Sequence, residues 1–482
     1  MNGRLVSRLL SRLFGVMAIA MLAAIPWGWG AADGGGVDGL FAGAVITAGV
    51  ALFLGFVGRS ADATMRIRDA LFVVTIGWFA AGVLGAIPYL WSGAIPHPAD
   101  AFFETLSGFT TTGSTILRDI EALPQGIHFW RVTTHWLGGL GIVVIFVALF
   151  PQLGVGAKHL FKSEVPGPIT EGLRPKIKQT ALALWWIYVA LTALEALLLW
   201  WRDMSAFEAV AHAMSTLATG GFSTRNGSVG DFDDPWIEYI ICVFMYLAGV
   251  NFALHYAALS GRMRTFFRDA EWRYYTGIVL VVTVVITALI MPLHGGDLET
   301  AWRKSLFQVL ALATTTGFGT DDYAAWPVFT HVLVIALMAV GGSAGSTAGG
   351  MKVSRVIILL KATAIEITHA AKPHAVKIVK LGRTAIRDDV VKQVGAYAVA
   401  FACTVIVCML WLTATGVDVL SAFTAALTCV ANVGPGLGTV GPTENFADLT
   451  ASAKVVLATA MVLGRLEFFT VLALLLPSGW RR

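Results

Sequence analysis

Four short runs of threonine, glycine and other small residues carry a pattern that suggests chemistry. They read Thr110-Thr111-Thr112-Gly113-Ser114-Thr115, Ala218-Thr219-Gly220-Gly221-Phe222-Ser223, Thr314-Thr315-Thr316-Gly317-Phe318-Gly319 and Ala431-Asn432-Val433-Gly434-Pro435-Gly436. Their central glycines lie 108, 96 and 117 residues apart, the spacing of one repeated module. Glycine permits backbone dihedrals that turn successive carbonyl oxygens toward an axis with no Cβ in the way. Rings of such carbonyls can replace the hydration shell of a monovalent cation, the arrangement of potassium filters. Divalent ions call for carboxylate ligands, and these turns contain none. One such run is an ordinary turn. Four at equivalent places are a repeat.

The elements that must position these turns follow from composition. Of 482 residues, 56% are hydrophobic and 13% charged, against about a quarter charged in soluble domains. Apolar stretches cover residues 13–30, 40–58, 71–90, 139–151, 182–200, 237–259, 278–291, 328–341, 394–415 and 455–477. With polar extensions of the shorter ones, that is about ten membrane spans. The first is followed by a second span rather than a cleavage site, so it reads as a helix and not a signal peptide. Before each glycine turn stand residues 101–109, 206–217, 304–313 and 420–430, too short to cross. These read as re-entrant half-helices whose C-terminal ends, with their partial negative charge, aim at the bilayer centre and favour a cation.

The fold expected is an all-α polytopic membrane protein of four tandem helix–pore loop–helix repeats in pseudo-fourfold arrangement. The divisions are an N-terminal helix pair over 1–60 and repeats over 61–160, 161–265, 266–375 and 376–482. Arginine and lysine set the orientation: Arg4, Arg8, Arg12, Arg59, Arg66, Arg68, Lys158, Lys162, Arg262, Arg264, Arg481 and Arg482 fall in alternate loops. The intervening loops carry Asp33, Asp38, Asp231, Asp321, Asp322, Glu444 and Asp448, so both termini are expected in the cytoplasm. The net charge of +4 is a topology signal; it forms no single patch and gives nucleic acid no footing. Four cysteines, Cys242, Cys403, Cys408 and Cys429, lie in or beside apolar spans without metal or disulfide spacing.

At this point the residues resemble the potassium-uptake membrane subunits of the Trk/Ktr/HKT superfamily, nearest to its TrkH-like branch. The resemblance rests on the 101–113 segment, on Trp130-Arg131 and Trp136-Leu137-Gly138-Gly139-Leu140-Gly141, and on Pro166-Gly167-Pro168 with Leu173-Arg174-Pro175. It implies filter carbonyls from Thr111, Thr112 and Gly113, from Thr219, Gly220 and Gly221, from Thr315, Thr316 and Gly317, and from Asn432, Val433 and Gly434. It also implies potassium, and rubidium, as transported ion, with no cofactor. A homodimer with one pore per protomer and an RCK-type cytosolic nucleotide-binding regulatory subunit (TrkA-like) come with it, in a bacterial cytoplasmic (inner) membrane. Ser114, Phe222, Phe318 and Pro435 depart from a symmetric Thr-Val-Gly-Tyr-Gly filter, which predicts weaker selectivity than in tetrameric channels.

Two further features suggest a gate. Arg465 sits in the last apolar run, where an arginine costs roughly 2.5–3.5 kcal/mol unless it meets water or a partner. Arg465 and Glu467 are two apart and do not share a helix face; Lys352 or a backbone donor could partner Glu467, and a structural ion pair is the plainer reading. The stretch 341–352 carries five glycines in its first ten residues, which no stable helix would. Gly345, Gly349, Gly350 and Lys352 are therefore expected in an intramembrane loop; the resemblance puts this loop and Arg465 on the conduction path below the filter. A phosphate-binding loop is excluded there because Met351 separates Gly350 from Lys352. Glu366, His369 and His374 read as a solvated linker rather than a metal site, and no nucleophile–base set suggests an enzyme. A proton- or sodium-coupled potassium symporter with alternating access stays open as the alternative to a gated pore.

Overall fold

A lipid-embedded chain has to satisfy its backbone polar groups internally, which for this composition means helices. The computed structural model describes residues 2–31, 34–60, 66–139, 141, 177–374, 377–382 and 384–475. The motif at 166–175, most of the 139–151 span, Lys158, Lys162, Arg481 and Arg482 lie outside the described residues.

In chain order, α1 (Gly3–Gly28) and α2 (Val37–Val57) pack along each other as an N-terminal pair. The first unit has α3 (Ile67–Gly85), the short α4 (Ile87–Trp91), the half-helix α5 (Pro98–Phe109) and α6 (Gln125–Gly139). The second has α7 (Ile177–Trp201), the half-helix α8 (Ala206–Leu217), α9 (Pro235–Ala248) and α10 (Phe252–Leu259). After α11 (Met263–Arg268), the third has α12 (Ala270–Ile290), the half-helix α13 (Leu298–Ala313), α14 (Val328–Val340) and α15 (Val353–Ala371). A small hairpin pairs β1 (Lys380–Leu381) with β2 (Thr384–Ala385). The fourth unit has α16 (Asp388–Ala414), the half-helix α17 (Val419–Ala431), α18 (Ala451–Arg465) and α19 (Phe469–Leu475).

The half-helices α5, α8, α13 and α17 have 12, 12, 16 and 13 residues. At 1.5 Å per residue they span about 18–24 Å, less than the roughly 30 Å of hydrocarbon. Local chemistry starts each one. Pro98 opens α5; Ser205 and Glu208 form a capping box on α8; Asp297 and Asp418 accept from the first-turn amides of α13 and α17.

Among the described residues six helices are long and apolar enough to cross a membrane. Several runs expected to be continuous are broken instead. The 237–259 run bends by 96° between α9 and α10. Asn251 drives this bend, because its side chain accepts from Ala253 N at 2.9 Å and starts a new helix there. The freed carbonyls of Ala248 and Gly249 are then taken by Thr347 Oγ1 at 3.2 Å and Ser343 N at 3.0 Å. The 455–477 run breaks after Arg465, where Glu467 and Phe468 take φ of 57° and 55°. As expected, 341–352 is non-helical between α14 and α15.

Charged pairs clamp neighbouring units. Glu238 of α9 is 2% exposed and meets Arg303 at 2.7 Å and Lys304 at 2.8 Å, both on α13. Lys454 of α18 meets Asp100 of α5 at 2.7 Å and closes the fourth unit on the first. Removing one partner from a buried pair costs far more than the pair contributes, because it strands a charge. Glu238→Ala is expected to destabilise the fold by about 3–5 kcal/mol, read as a lower thermal midpoint in detergent; an unchanged midpoint would show that α9 and α13 need no such clamp.

Candidate functional site

Each half-helix ends the same way. The residue after the helical C-cap, or the cap itself in the fourth unit, turns left-handed: Thr111 at φ 53°, Thr219 at 54°, Thr315 at 58° and Asn432 at 56°. The next amide reaches back five residues: Thr112 N to Ser107 O, Gly220 N to Ser215 O, Thr316 N to Ala311 O and Val433 N to Thr428 O, at 2.9, 2.9, 2.8 and 2.9 Å. This is the 6→1 bond that commonly ends a helix at a glycine. Here three threonines occupy the left-handed position, a strain of about 1–3 kcal/mol each that persists only where the surroundings enforce it. The glycines follow with positive φ as well: 82° at Gly113, 80° at Gly221, 79° at Gly317 and 107° at Gly434.

The four turns converge. A Cβ on Gly113 would overlap the carbonyl oxygen of Gly220, one on Gly221 that of Thr316, and one on Gly317 that of Val433. A Cβ on Gly434 would lie 2.7 Å from the carbonyl oxygen of Thr112, which closes the circle. Each glycine thus abuts the carbonyl of the residue before the glycine in the next unit, in chain order around one axis. Thr111, Thr112, Thr219, Gly220, Thr315, Thr316, Asn432 and Val433 are all buried. On one face the four glycines floor an open vestibule together with Ser114 and Ser223.

Behind the ring the walls differ. Arg131 of α6 donates to Glu104 of α5 at 2.6 Å, with the two side chains 1% and 0% exposed. Glu104 also accepts from Thr115 Oγ1 and Ile116 N, both at 2.9 Å. The Arg131 guanidinium lies 3.4 Å from the Phe222 ring centre, so one ion pair braces the segments following two of the turns. His135 stacks on Phe222 with ring centres 3.9 Å apart. In the other units Gln308 donates to the Phe318 carbonyl at 3.3 Å, Tyr323 to that of Gly436 at 2.9 Å, and Ser114 to that of Gly434 at 3.0 Å.

The opposite face is covered by the 341–352 loop. Gly349 N donates to Thr315 Oγ1 at 2.6 Å and Gly350 N to the Ala431 carbonyl at 2.8 Å. Gly345, at φ 75°, accepts from Phe252 N at 3.0 Å. Lys352 is 4% exposed, and its ammonium donates to the Ala348 carbonyl. Arg465 donates to the Thr347 carbonyl of the loop at 2.9 Å and to the carbonyls of Gly138 and Gly139, ending α6, at 2.8 and 3.0 Å. Its guanidinium therefore ties the first, third and fourth units together on this face.

Sequence reasoning suggested Lys352 or a backbone donor for Glu467. The structure pairs Glu467 with Arg355 of α15 at 2.6 Å instead, while the Lys352 ammonium is taken by the Ala348 carbonyl. Glu271 of α12 was missed: it accepts from Ala344 N at 2.8 Å and Ser354 N at 3.0 Å and anchors both ends of the loop. Its position near a helix start hid it among ordinary capping acids. Glu104 lies within the 101–113 segment without being singled out there, although a carboxylate in an apolar run is itself a signal.

Comparison with known proteins agrees over most of the chain. The TrkH family profile, described as cation transport protein, matches residues 40–480. The Trk system potassium uptake protein TrkH of Salmonella typhimurium is 42% identical over 442 residues, 90% of this chain and 91% of that protein. The TrkH of Vibrio parahaemolyticus is 38% identical over 492 residues, covering 100% of both. The crystal structure of the potassium transporter TrkH from Vibrio parahaemolyticus superposes with a TM-score of 0.90 at 36% identity, covering 100% of both chains.

Gly221→Ala places a Cβ on the Thr316 carbonyl at a backbone angle alanine disfavours. Cation flux in proteoliposomes is expected to fall by about tenfold or more, whereas Gly277→Ala, whose Cβ meets nothing within 4 Å, is expected to leave it near the unmodified level. Similar flux from both variants would show that the ring does not conduct.

Proposed function

The chain belongs to the TrkH family of cation transport proteins, and from that premise we propose that it takes up potassium across the cytoplasmic membrane through the ring of glycine turns. The family is one of transporters rather than enzymes, with the ion as substrate and no cofactor. One observation carries the proposal: each glycine lies against a main-chain carbonyl of the next unit, in a closed circle of four. Carbonyls held that closely can exchange for the water around a dehydrated alkali ion. The ligands are the main-chain oxygens of Thr111, Thr112 and Gly113, Thr219, Gly220 and Gly221, Thr315, Thr316 and Gly317, and Asn432, Val433 and Gly434. The C-terminal ends of α5, α8, α13 and α17 add partial negative charge at the same place.

The gate in this reading is the 341–352 loop, with Gly345, Gly349, Gly350 and Lys352, together with Arg465. The loop lies across the ring, and a fixed guanidinium on an ion's path raises the barrier to a cation. The vestibule side, with the acidic loops around Asp231, Asp321 and Glu444, faces outward and both termini face the cytoplasm, following the arginine and lysine distribution. The family resemblance adds a homodimer and an RCK-type nucleotide-binding ring (TrkA-like) acting on the cytoplasmic side. The exposed lysines Lys372, Lys377 and Lys380 beyond α15 offer that ring a basic surface.

Unequal walls hold four carbonyl rings less rigidly than identical ones would. Reconstituted protein is therefore expected to pass potassium and rubidium faster than sodium and lithium, by a smaller ratio than a tetrameric channel; equal rates for all four ions would refute the filter. Arg465→Ala, and separately removal of residues 345–349, are each expected to raise passive potassium flux severalfold. Flux left unchanged by both would remove the gate. Current that reverses with the potassium gradient alone indicates a pore, and a reversal that tracks a proton or sodium gradient indicates symport.

A further inference from the structure

Two amides at the tip of the 341–352 loop are bonded to oxygens that belong to the ring itself. Gly349 N donates to the Thr315 hydroxyl at 2.6 Å. Gly350 N donates at 2.8 Å to the carbonyl of Ala431, the last residue of α17. Both oxygens are of the kind a cation seeks: a hydroxyl lone pair, and the negative end of a helix. The loop occupies them with N–H donors, which a cation repels.

The equivalent side chains of the other units make the contrast. Thr219 turns its hydroxyl onto the Ala218 carbonyl at 2.6 Å. Asn432 donates its amide to Thr112 Oγ1 at 2.9 Å and the Met461 carbonyl at 3.0 Å. Thr111 is 1% exposed, and its hydroxyl has no hydrogen-bond partner among the described residues. A buried hydroxyl left that way costs about 1–3 kcal/mol, and native structures retain such groups where a ligand, ion or water completes them. Thr111 thus leaves an open acceptor at the position where Thr315, its equivalent in the third unit, is covered by the loop.

We propose that the permeating alkali cation and the loop tip compete for the Thr315 hydroxyl and the Ala431 carbonyl, so that an ion at the inner mouth and a seated loop exclude each other. Linkage makes the effect reciprocal: a cation bound there favours the withdrawn loop by the same factor that withdrawal favours the cation. Potassium then acts on its own gate, through the third and fourth units. The inference rests on the filter reading above and deepens it, since the gate is there an obstruction and here also a rival ligand.

The test uses the full chain in lipid nanodiscs with Ser346→Cys as reporter and Cys403→Ala to remove the exposed cysteine. The rate of modification by a small thiol reagent is compared in potassium chloride and in N-methyl-D-glucamine chloride. It is expected to be about fivefold or more faster in potassium. Thr315→Val keeps the shape but removes the acceptor, and it is expected to make the reporter fast in both salts; Thr315→Ser restores the difference. Thr111→Val, at the same place without a loop contact, is expected to leave the reporter protected in N-methyl-D-glucamine. Equal rates in the two salts for the reporter protein, or a potassium effect that survives Thr315→Val intact, overturns the proposal. Failure of the filter reading registers separately, as equal potassium and sodium fluxes in the unmodified protein.

Discussion

A peptide carbonyl inside a bilayer has no water to accept from, so each one must find a donor in the chain or face an ion that takes water's place. The architecture is organised around that constraint. Long helices satisfy their own carbonyls and can face lipid. The four half-helices stop midway and leave irregular backbone at membrane depth, which is tolerable only where it turns inward. Four such ends together bury one another in a closed circle, each glycine against a carbonyl of the next unit. The units need little sequence identity to do this. They need a helix that starts with a cap, ends in a left-handed residue and carries a glycine two positions on.

The left-handed threonines indicate how firmly the surroundings enforce this shape. Thr111, Thr219 and Thr315 adopt dihedrals that a β-branched residue avoids. The five-residue back-bond, the close approach of the next unit and the ion pairs outside hold them there. Those braces are not fourfold. Glu104 and Arg131 reinforce the first and second turns, Gln308 and Tyr323 the third and fourth. In the proposed reading, a ring with equivalent backbone and inequivalent supports recognises an ion by its carbonyls while differing in stiffness from side to side.

The loop follows the same logic from the other direction. Its glycines allow close approach to the half-helix ends, and its amides supply donors to acceptors that would otherwise be unsatisfied. Glu271 and Asn251 anchor it from behind, and Arg465 donates to three carbonyls of two segments, the loop and the end of α6. In the proposed reading this arrangement is a closed state, held by hydrogen bonds that an ion or water can replace at similar free energy.

Much of this was legible in the chain itself. Hydropathy defined the membrane class, and the spacing of Gly113, Gly221, Gly317 and Gly434 revealed a fourfold module, because glycine at a fixed distance from a short apolar run has few other uses. The glycine cluster at 341–352 announced a non-helical stretch for the same reason: its intrinsic helix cost is local. What tertiary structure decided were the partnerships. That Glu467 pairs with Arg355, that Asn251 breaks an apolar run hydropathy reads as continuous, and that each glycine meets the next unit's carbonyl depend on residues distant along the chain. Local propensity and periodicity carry no term for such contacts; packing in three dimensions supplies it.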